Sequence, residues 1–291
     1  MFNHPAEVLQ LLALFPNLSA LDMNVFIFDP FGTELPGHST LSMGSGNAIH
    51  IQKLHIDGAN PAMPQLLHGL LNSPFVLLPR EVSITGSGPC DCNSVMRLLY
   101  ETRSVIEILH LGFIISTRME KLLEEINVAE YPNLRIFELE YAYEVWELDL
   151  PGIGHFRTEA GDICHLPLFL SGLPESMEEL VFRFNIPKKV TNGVLSIHWD
   201  FTNWDMLDCV FTELHTRIPA LRITFYFVIA SSHPIGLLAT TPQGLPDIAG
   251  ALGQRLRGAF ARNMHIRITC SDSSNTAAIP EPVMLSPPQS D

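Results

Sequence analysis

The sequence predicts an α/β array of short parallel strands alternating with helices, and three observations predict it. YPNLRIFELEY (131–141), FPNLSALDM (15–23) and IPALRITFYF (218–227) repeat one phrase: an apolar residue, Pro, any residue, Leu, then alternation. Proline stops helix continuation and pushes its predecessor toward extended geometry, and Leu134, Phe137 and Leu139 then follow the spacing L-x-x-L-x-L, so each phrase reads as a turn feeding a strand. An apolar stripe at helical spacing precedes most of the phrases. The phrases also return at regular intervals, which is the mark of stacked units that cannot bury their apolar faces alone.

The elements follow in order. Val8, Leu11, Leu12 and Phe15 form a helical stripe before FPNLSALDM, whereas the strand-like IHIQKLHID (49–57) has no clear helix before it. Met63, Leu66, Leu67, Leu70 and Leu71 precede LPREVSIT, and Val95, Leu98 and Leu99 precede VIEILHLGF. Met119, Leu122, Leu123 and Ile126 fall at i, i+3, i+4 and i+7 before PNLRIFELE, placing four apolar side chains on one helical face. The short HLPLFLSG precedes MEELVFRF; Trp204, Leu207, Phe211 and Leu214 precede IPALRITFYF; Ile248, Leu252, Leu256 and Phe260 precede MHIRIT.

Taking Leu18, Ile51, Pro79, Ile106, Leu134, Met177, Leu221 and Asn263 as the first positions, the intervals are 33, 28, 27, 28, 43, 44 and 42 residues. Periods of about 20–29 residues with one strand and one helix each define a leucine-rich-repeat-like solenoid. The expected fold is therefore α/β: a curved parallel sheet on the concave side, helices on the convex side, regular over 1–142 and irregular over 143–270. YEVWELDL, GVLSIHWD and HPIGLLAT lengthen the later units as extra strands or insertions, with a change of apolar phase near Val145. The Asn expected at the ninth position is matched only by Asn185. Residues 271–291 are rich in Pro and Ser without apolar period and read as a disordered tail.

Composition narrows the function. A net charge of −14 argues against a phosphate-binding surface, so nucleic acid is not an expected partner. Charge is uneven: residues 101–150 hold 11 acidic and 4 basic side chains, and 201–270 hold 4 acidic and 6 basic. Five irregularly spaced cysteines do not make a disulfide framework, no signal-peptide pattern opens the chain, and no apolar run is long enough for a membrane span. The expected setting is the cytoplasm or nucleus, without a membrane partner.

WDMLDCVFTELHTRIPALRITFYFV (204–228) and LPLFLSGLPESMEELVFRFN (166–185) resemble the leucine-rich-repeat region of F-box-like proteins of mushroom-forming fungi. Trp204, Leu207, Asp208 and Phe211 approximate that family's W-x-x-L-D-x-x-L helix before a Pro-x-Leu strand. The resemblance implies repeats that hold a protein substrate for a ubiquitin ligase. HPAEVLQLLALF (4–15) echoes the opening of an F-box, but FPNLSALDM follows at once and leaves no room for its remaining helices. A ubiquitin-ligase adaptor is thus expected only indirectly, through a partner or a missing F-box.

In the repeat register, positions 3, 5 and 7 of each strand face the concave side. Position 5 gives the row Asp22, His55, Ser83, His110, Glu138, Val181, Phe225 and Arg267, flanked by Lys53, Asp57, Glu81, Thr85, Glu140, Arg183 and His265. Its expected role is to hold a protein or peptide, through His55, Ser83, His110, Glu138, Glu140, Arg183, Phe225 and Arg267. Glu138, Glu140 and Glu144, with Glu147 and Asp149 nearby, suit a basic partner. No catalytic residue, cofactor or metal ligand is assigned. His55 and His110 sit two strands apart, about 10 Å by backbone spacing, too far to share a metal ion directly. Ser83 as nucleophile with His55 as base and Asp57 as orienter is the esterase-like alternative, but His55 and Asp57 leave one strand about 6.7 Å apart. Cys90-Asp91-Cys92 and Cys164-His165 lack the spacing of common zinc sites, and Gly44-x-Gly46 and Gly86-x-Gly88 lack the third glycine of a dinucleotide loop.

Overall fold

Each Pro-x-Leu phrase does what its chemistry dictates: a helix or turn ends there and a strand begins. A computed structural model describes residues 5–15, 17–23, 49–57, 63–72, 75–86, 92–113, 116–142, 148–150, 154–156, 165–187, 190–191, 194–195, 203–230, 244–262, 264–272 and 283–284. The chain divides into two units, Met1–Leu111 with Glu130–Leu134, and Gly112–Ala129 with Arg135–Asp291. Each is an α/β unit built on parallel strand pairing.

The first unit runs α1 (Pro5–Leu12), β1 (Ala20–Asp22), β2 (Ile49–Asp57), α2 (Met63–Leu70), β3 (Phe75–Gly86), α3 (Cys92–Thr102) and β4 (Ile108–Phe113). Its strands lie side by side in chain order, β1-β2-β3-β4. Alternation sends Leu54, Ile56, Val82, Ile84, Leu109 and Leu111 to one face, where they are buried with Leu66, Leu67 and Leu70 of α2 and Val95, Leu98 and Leu99 of α3. In α1 the buried stripe is Val8, Leu9 and Leu12; Leu11 and Phe15, expected on it, are 40% and 53% exposed. Strand β3 begins earlier than LPREVSIT suggests and carries Pro79 in its interior. Proline cannot donate to the ladder, and the pairing shifts there, from Ile51 opposite Leu77 to Lys53 opposite Glu81. Gly69 lets α2 approach α1, since a methyl group in its place would overlap the Leu9 side chain.

The second unit runs α4 (Ser116–Glu125), β5 (Ile136–Ala142), β6 (Leu148–Leu150), β7 (Gly154–Phe156), α5 (Leu166–Ser171), β8 (Glu179–Pro187), β9 (Val190–Thr191), β10 (Val194–Leu195), α6 (Trp204–Arg217), β11 (Arg222–Ala230), α7 (Gly244–Arg255), α8 (Arg257–Ala261), β12 (His265–Asp272) and β13 (Val283–Met284). Strands β5, β8, β11 and β12 are neighbours in that order, each pair parallel. Phe182 and Phe225 stack in its core and Phe211 meets both at a steep angle, with ring centroids 5.2–6.3 Å apart. Two of the extra apolar segments contribute to antiparallel pairs, β6 with β7 and β9 with β10, while HPIGLLAT lies outside the described residues.

Two expectations are corrected here. The stripe from Ile248 to Phe260 is not one helix: it breaks at Leu256, and the Asp208 carboxylate of α6 accepts the N–H groups of Gly258 and Ala259 at 2.8 and 2.9 Å, fixing the start of α8. Nor is the tail without structure: β13 pairs antiparallel with β12, Val283 opposite Ile268 and Met284 opposite Arg267.

At three joints the second residue of one phrase makes the same backbone bond to the second residue of the phrase before it. The N–H of Gln52 donates to the carbonyl of Ser19 at 2.8 Å, Glu107 to Arg80 at 2.8 Å and Glu178 to Arg135 at 2.8 Å; at a fourth, Arg222 donates to Glu178 at 3.0 Å, as Glu179 does to Arg135. Side chains reinforce the joint: Arg135 reaches both carboxylate oxygens of Glu178, at 2.7 and 3.0 Å, and this holds the Glu178 carboxyl below its ordinary pKa.

Candidate functional site

In the first unit the ladder brings Asp22 opposite His55 and His55 opposite Ser83, as the repeat count predicts. Side chains then close the row. His55 Nδ1 lies 2.7 Å from Ser83 Oγ, and Ser83 Oγ lies 3.0 Å from His110 Nδ1. All three side chains are half-buried, whereas Leu54, Val82 and Leu109 beside them point to the opposite, buried face. Thr85 Oγ1 stands 3.5 Å from His55 Nε2, and Lys53 pairs with Glu81 at 2.5 Å one rung away.

A serine hydroxyl has one proton to give and two lone pairs, so between two neutral imidazoles it donates to one Nδ1 and accepts from the other Nδ1–H. The three side chains therefore form a directed chain across β2, β3 and β4. The Ser83–His55 spacing also suits a nucleophile and its base. However, the group near the far nitrogen of His55 is the Thr85 hydroxyl instead of a carboxylate. Ser83 lies inside a strand with neighbours on both sides, where backbone N–H groups belong to the ladder and do not converge on an oxyanion.

The second unit places its predicted residues differently. Glu138, Val181, Thr224 and Arg267 are in register, and so are Glu140, Arg183 and Tyr226. Arg183 Nε and Nη2 both lie 2.8 Å from Glu138 Oε1, and the guanidinium sits 5.0 Å from the centre of the Tyr226 ring. Arginine thus stands inside what the sequence presents as an acidic patch, and Glu138, Glu140, Arg183 and Arg267 together carry no net charge. Glu144 and Glu147 lie outside the described residues, and nothing is described of the Asp149 side chain.

Phe225 is a correction. It is 0% exposed, lies opposite Phe182 and Ile268, and belongs to the core instead of the binding row. The count from Leu221 runs one residue late in β11, and with period 2 a one-residue slip sends a side chain to the other face. Thr224 takes its place in the row, but it is 2% exposed and donates to Glu179 at 3.0 Å, and Val181 beside it is 8% exposed. Val181 and Thr224, in the middle of this row, are thus buried, while Glu138, Glu140, Arg183 and Arg267 around them are half-buried like the row of the first unit, so the unbroken polar row belongs to the first unit. Thr224 and Tyr226 were missed by the same slip; Ile223 and Phe225, apolar at the spacing of the other phrases, were the signal that could have found them.

The remaining sequence candidates add no site. Trp204 is buried, and Cys209 is an exposed free thiol. Cys90, Asp91, Cys164, Gly44, Gly46, Gly88, Trp199 and Phe201 lie outside the described residues. Among the described residues no three His, Cys, Asp or Glu side chains come together, and no helix is long and apolar enough to cross a membrane. No family model matches the chain, and no curated protein matches it.

Proposed function

We propose that the chain is a non-catalytic protein- or peptide-binding module of the leucine-rich-repeat-like solenoid kind, and that the polar strand row of its first unit is the contact surface. The observation that carries this reading is the row His55–Ser83–His110, half-exposed and hydrogen-bonded across neighbouring strands whose other face is buried. Cross-linked polar side chains on rigid strands lose little further freedom on binding, which favours recognition. The recurrent bond between the second residues of successive phrases supports the repeat architecture. The lack of an oxyanion site around Ser83 favours holding over chemistry. Substrate recognition for a ubiquitin ligase, which the resemblance to F-box-like repeats implies, is one form of this job.

Proximity labelling in the native cell tests the reading with two variants: His55→Ala/Ser83→Ala/His110→Ala in the first unit, and Glu138→Lys/Glu140→Lys in the second. The first is expected to lose the partners labelled by the wild-type chain while keeping its circular dichroism spectrum, and the second to keep most of them. An unchanged partner set in the first variant would overturn the assignment of the surface.

A further inference from the structure

We infer that the outer edge of β12 takes an extended acidic peptide as an added antiparallel strand, and that the chain's own β13 occupies this edge as an internal competitor. Strand β12 pairs with β11 at all 8 of its positions, from His265 to Asp272. On its other edge, among the described residues, it is paired only at Arg267 and Ile268. An edge strand presents backbone N–H and C=O groups along its free length, and an extended chain of matching register can pair with them.

Strand β13 is joined to the sheet as such a peptide would be. β5, β8, β11 and β12 are paired parallel, whereas β13 is paired antiparallel. Its sequence also limits its length. Proline has no N–H to give to a ladder, and Pro280 and Pro282 before it and Pro287 and Pro288 after it leave a proline-free run of four residues, 283–286. A proline-free peptide can pair along the whole of β12 and offers more backbone bonds. The advantage of the tail is its tether: ten residues, 273–282, separate Asp272 from Val283 and keep the strand at high local concentration.

Charge and alternation select the peptide. Ile266 and Ile268 are buried, while His265 between the same strand ends is exposed and Arg267 is half-buried. Among the described residues neither His265 nor Arg267 forms an ion pair. A carboxylate directly opposite a cation stabilises a cross-strand pair, and the tail puts Met284 opposite Arg267. A peptide with Glu at that position, and Val opposite Ile266 and Ile268, gains an ion pair that the tail lacks. This edge belongs to the second unit and does not depend on the row of the first.

The test is fluorescence anisotropy of the labelled peptide Val-Thr-Val-Glu-Val-Thr with the full chain, as wild type and as Val283→Pro/Met284→Pro. The variant is expected to bind the peptide at least about tenfold more tightly, as follows if the tail holds the edge about nine-tenths of the time. Adding Arg267→Glu to the variant should reverse the gain. Equal affinity of wild type and variant overturns the internal competitor, and absence of binding to both, or no effect of Arg267→Glu, overturns the peptide surface. Light scattering without peptide should give the variant the mass of wild type; a larger mass would mean that a second copy takes the edge, against the peptide assignment. Should the variant unfold, hydrogen exchange of wild type with excess peptide decides: added protection at alternate amides of His265–Asp272 supports the edge site, and unchanged protection rejects it.

Discussion

Tyr131, which opens the phrase YPNLRIFELEY three residues before Leu134, is 3% exposed, and its burial pushes the phenol well above its ordinary pKa; Arg103 pulls part of the way back and Glu130 adds to the rise. An unfolded tyrosine ionises near about pH 10. The unfolded state therefore releases this proton first, so the stability is fully present below that pH and is lost as pH climbs toward the folded value. The slope approaches about 1.4 kcal/mol per pH unit where only the unfolded phenol is ionised. Denaturant unfolding of Tyr131→Phe between about pH 9 and 11 is expected to show a shallower decline than wild type; parallel declines would show that burial of this phenol has no such effect. At the same scale, the sequence located His55, Ser83 and His110 in one row because period-2 alternation and phrase length determine which strand positions are opposite. It could not show the two imidazoles leaning onto one oxygen, since that depends on rotamers. It misplaced Phe225 because Leu221 and Ala220 compete as first position, and only the partner strands decide between them.

Helix starts are where the elements depend on distant residues. Asn203 caps α6 locally, its side chain accepting from the Met206 N–H at 3.1 Å, and this is readable from adjacent sequence. Asp208 caps α8 from about 50 residues away, and no local pattern announces it. Asp208→Ala strands two N–H groups in a part-buried site and is expected to cost about 1–3 kcal/mol, read as a lowered thermal midpoint. Gly258→Ala should also destabilise, because the new methyl group would sit 2.9 Å from the Asp208 carboxylate oxygen. The two effects are coupled: with the carboxylate gone, the methyl group meets one obstacle fewer, so the double variant should lose less than the singles imply. Simple additivity would show that the carboxylate and Gly258 do not constrain each other. The split of the expected Ile248–Phe260 helix follows from the same contact, which fixes a new helix start where apolar period alone predicts continuation.

At the scale of the whole molecule, the alternation of helix and strand and the parallel pairing of successive phrases were legible, because Pro-x-Leu turns and two apolar periods are local signals. The antiparallel pairs β6–β7, β9–β10 and β12–β13 were less so, being short segments whose pairing no periodicity sets. A repeat array differs from a single cooperative core in how damage spreads, since each unit contacts only its neighbours. Phe182 tests this inside the second unit: it is fully buried on β8, with its ring 5.2 Å from Phe225 on β11 and 5.8 Å from Phe211 on α6. Phe182→Ala should cost about 3–5 kcal/mol, the usual loss for a buried aromatic ring. In native-state hydrogen exchange the protection of β8 and of its direct partners β5 and β11 should fall most. Strand β12, which meets β11 but not β8, should keep more of its protection. An equal loss in all four strands would mean that the unit opens as one body, and nearest-neighbour stacking would then be the wrong description of what holds it together.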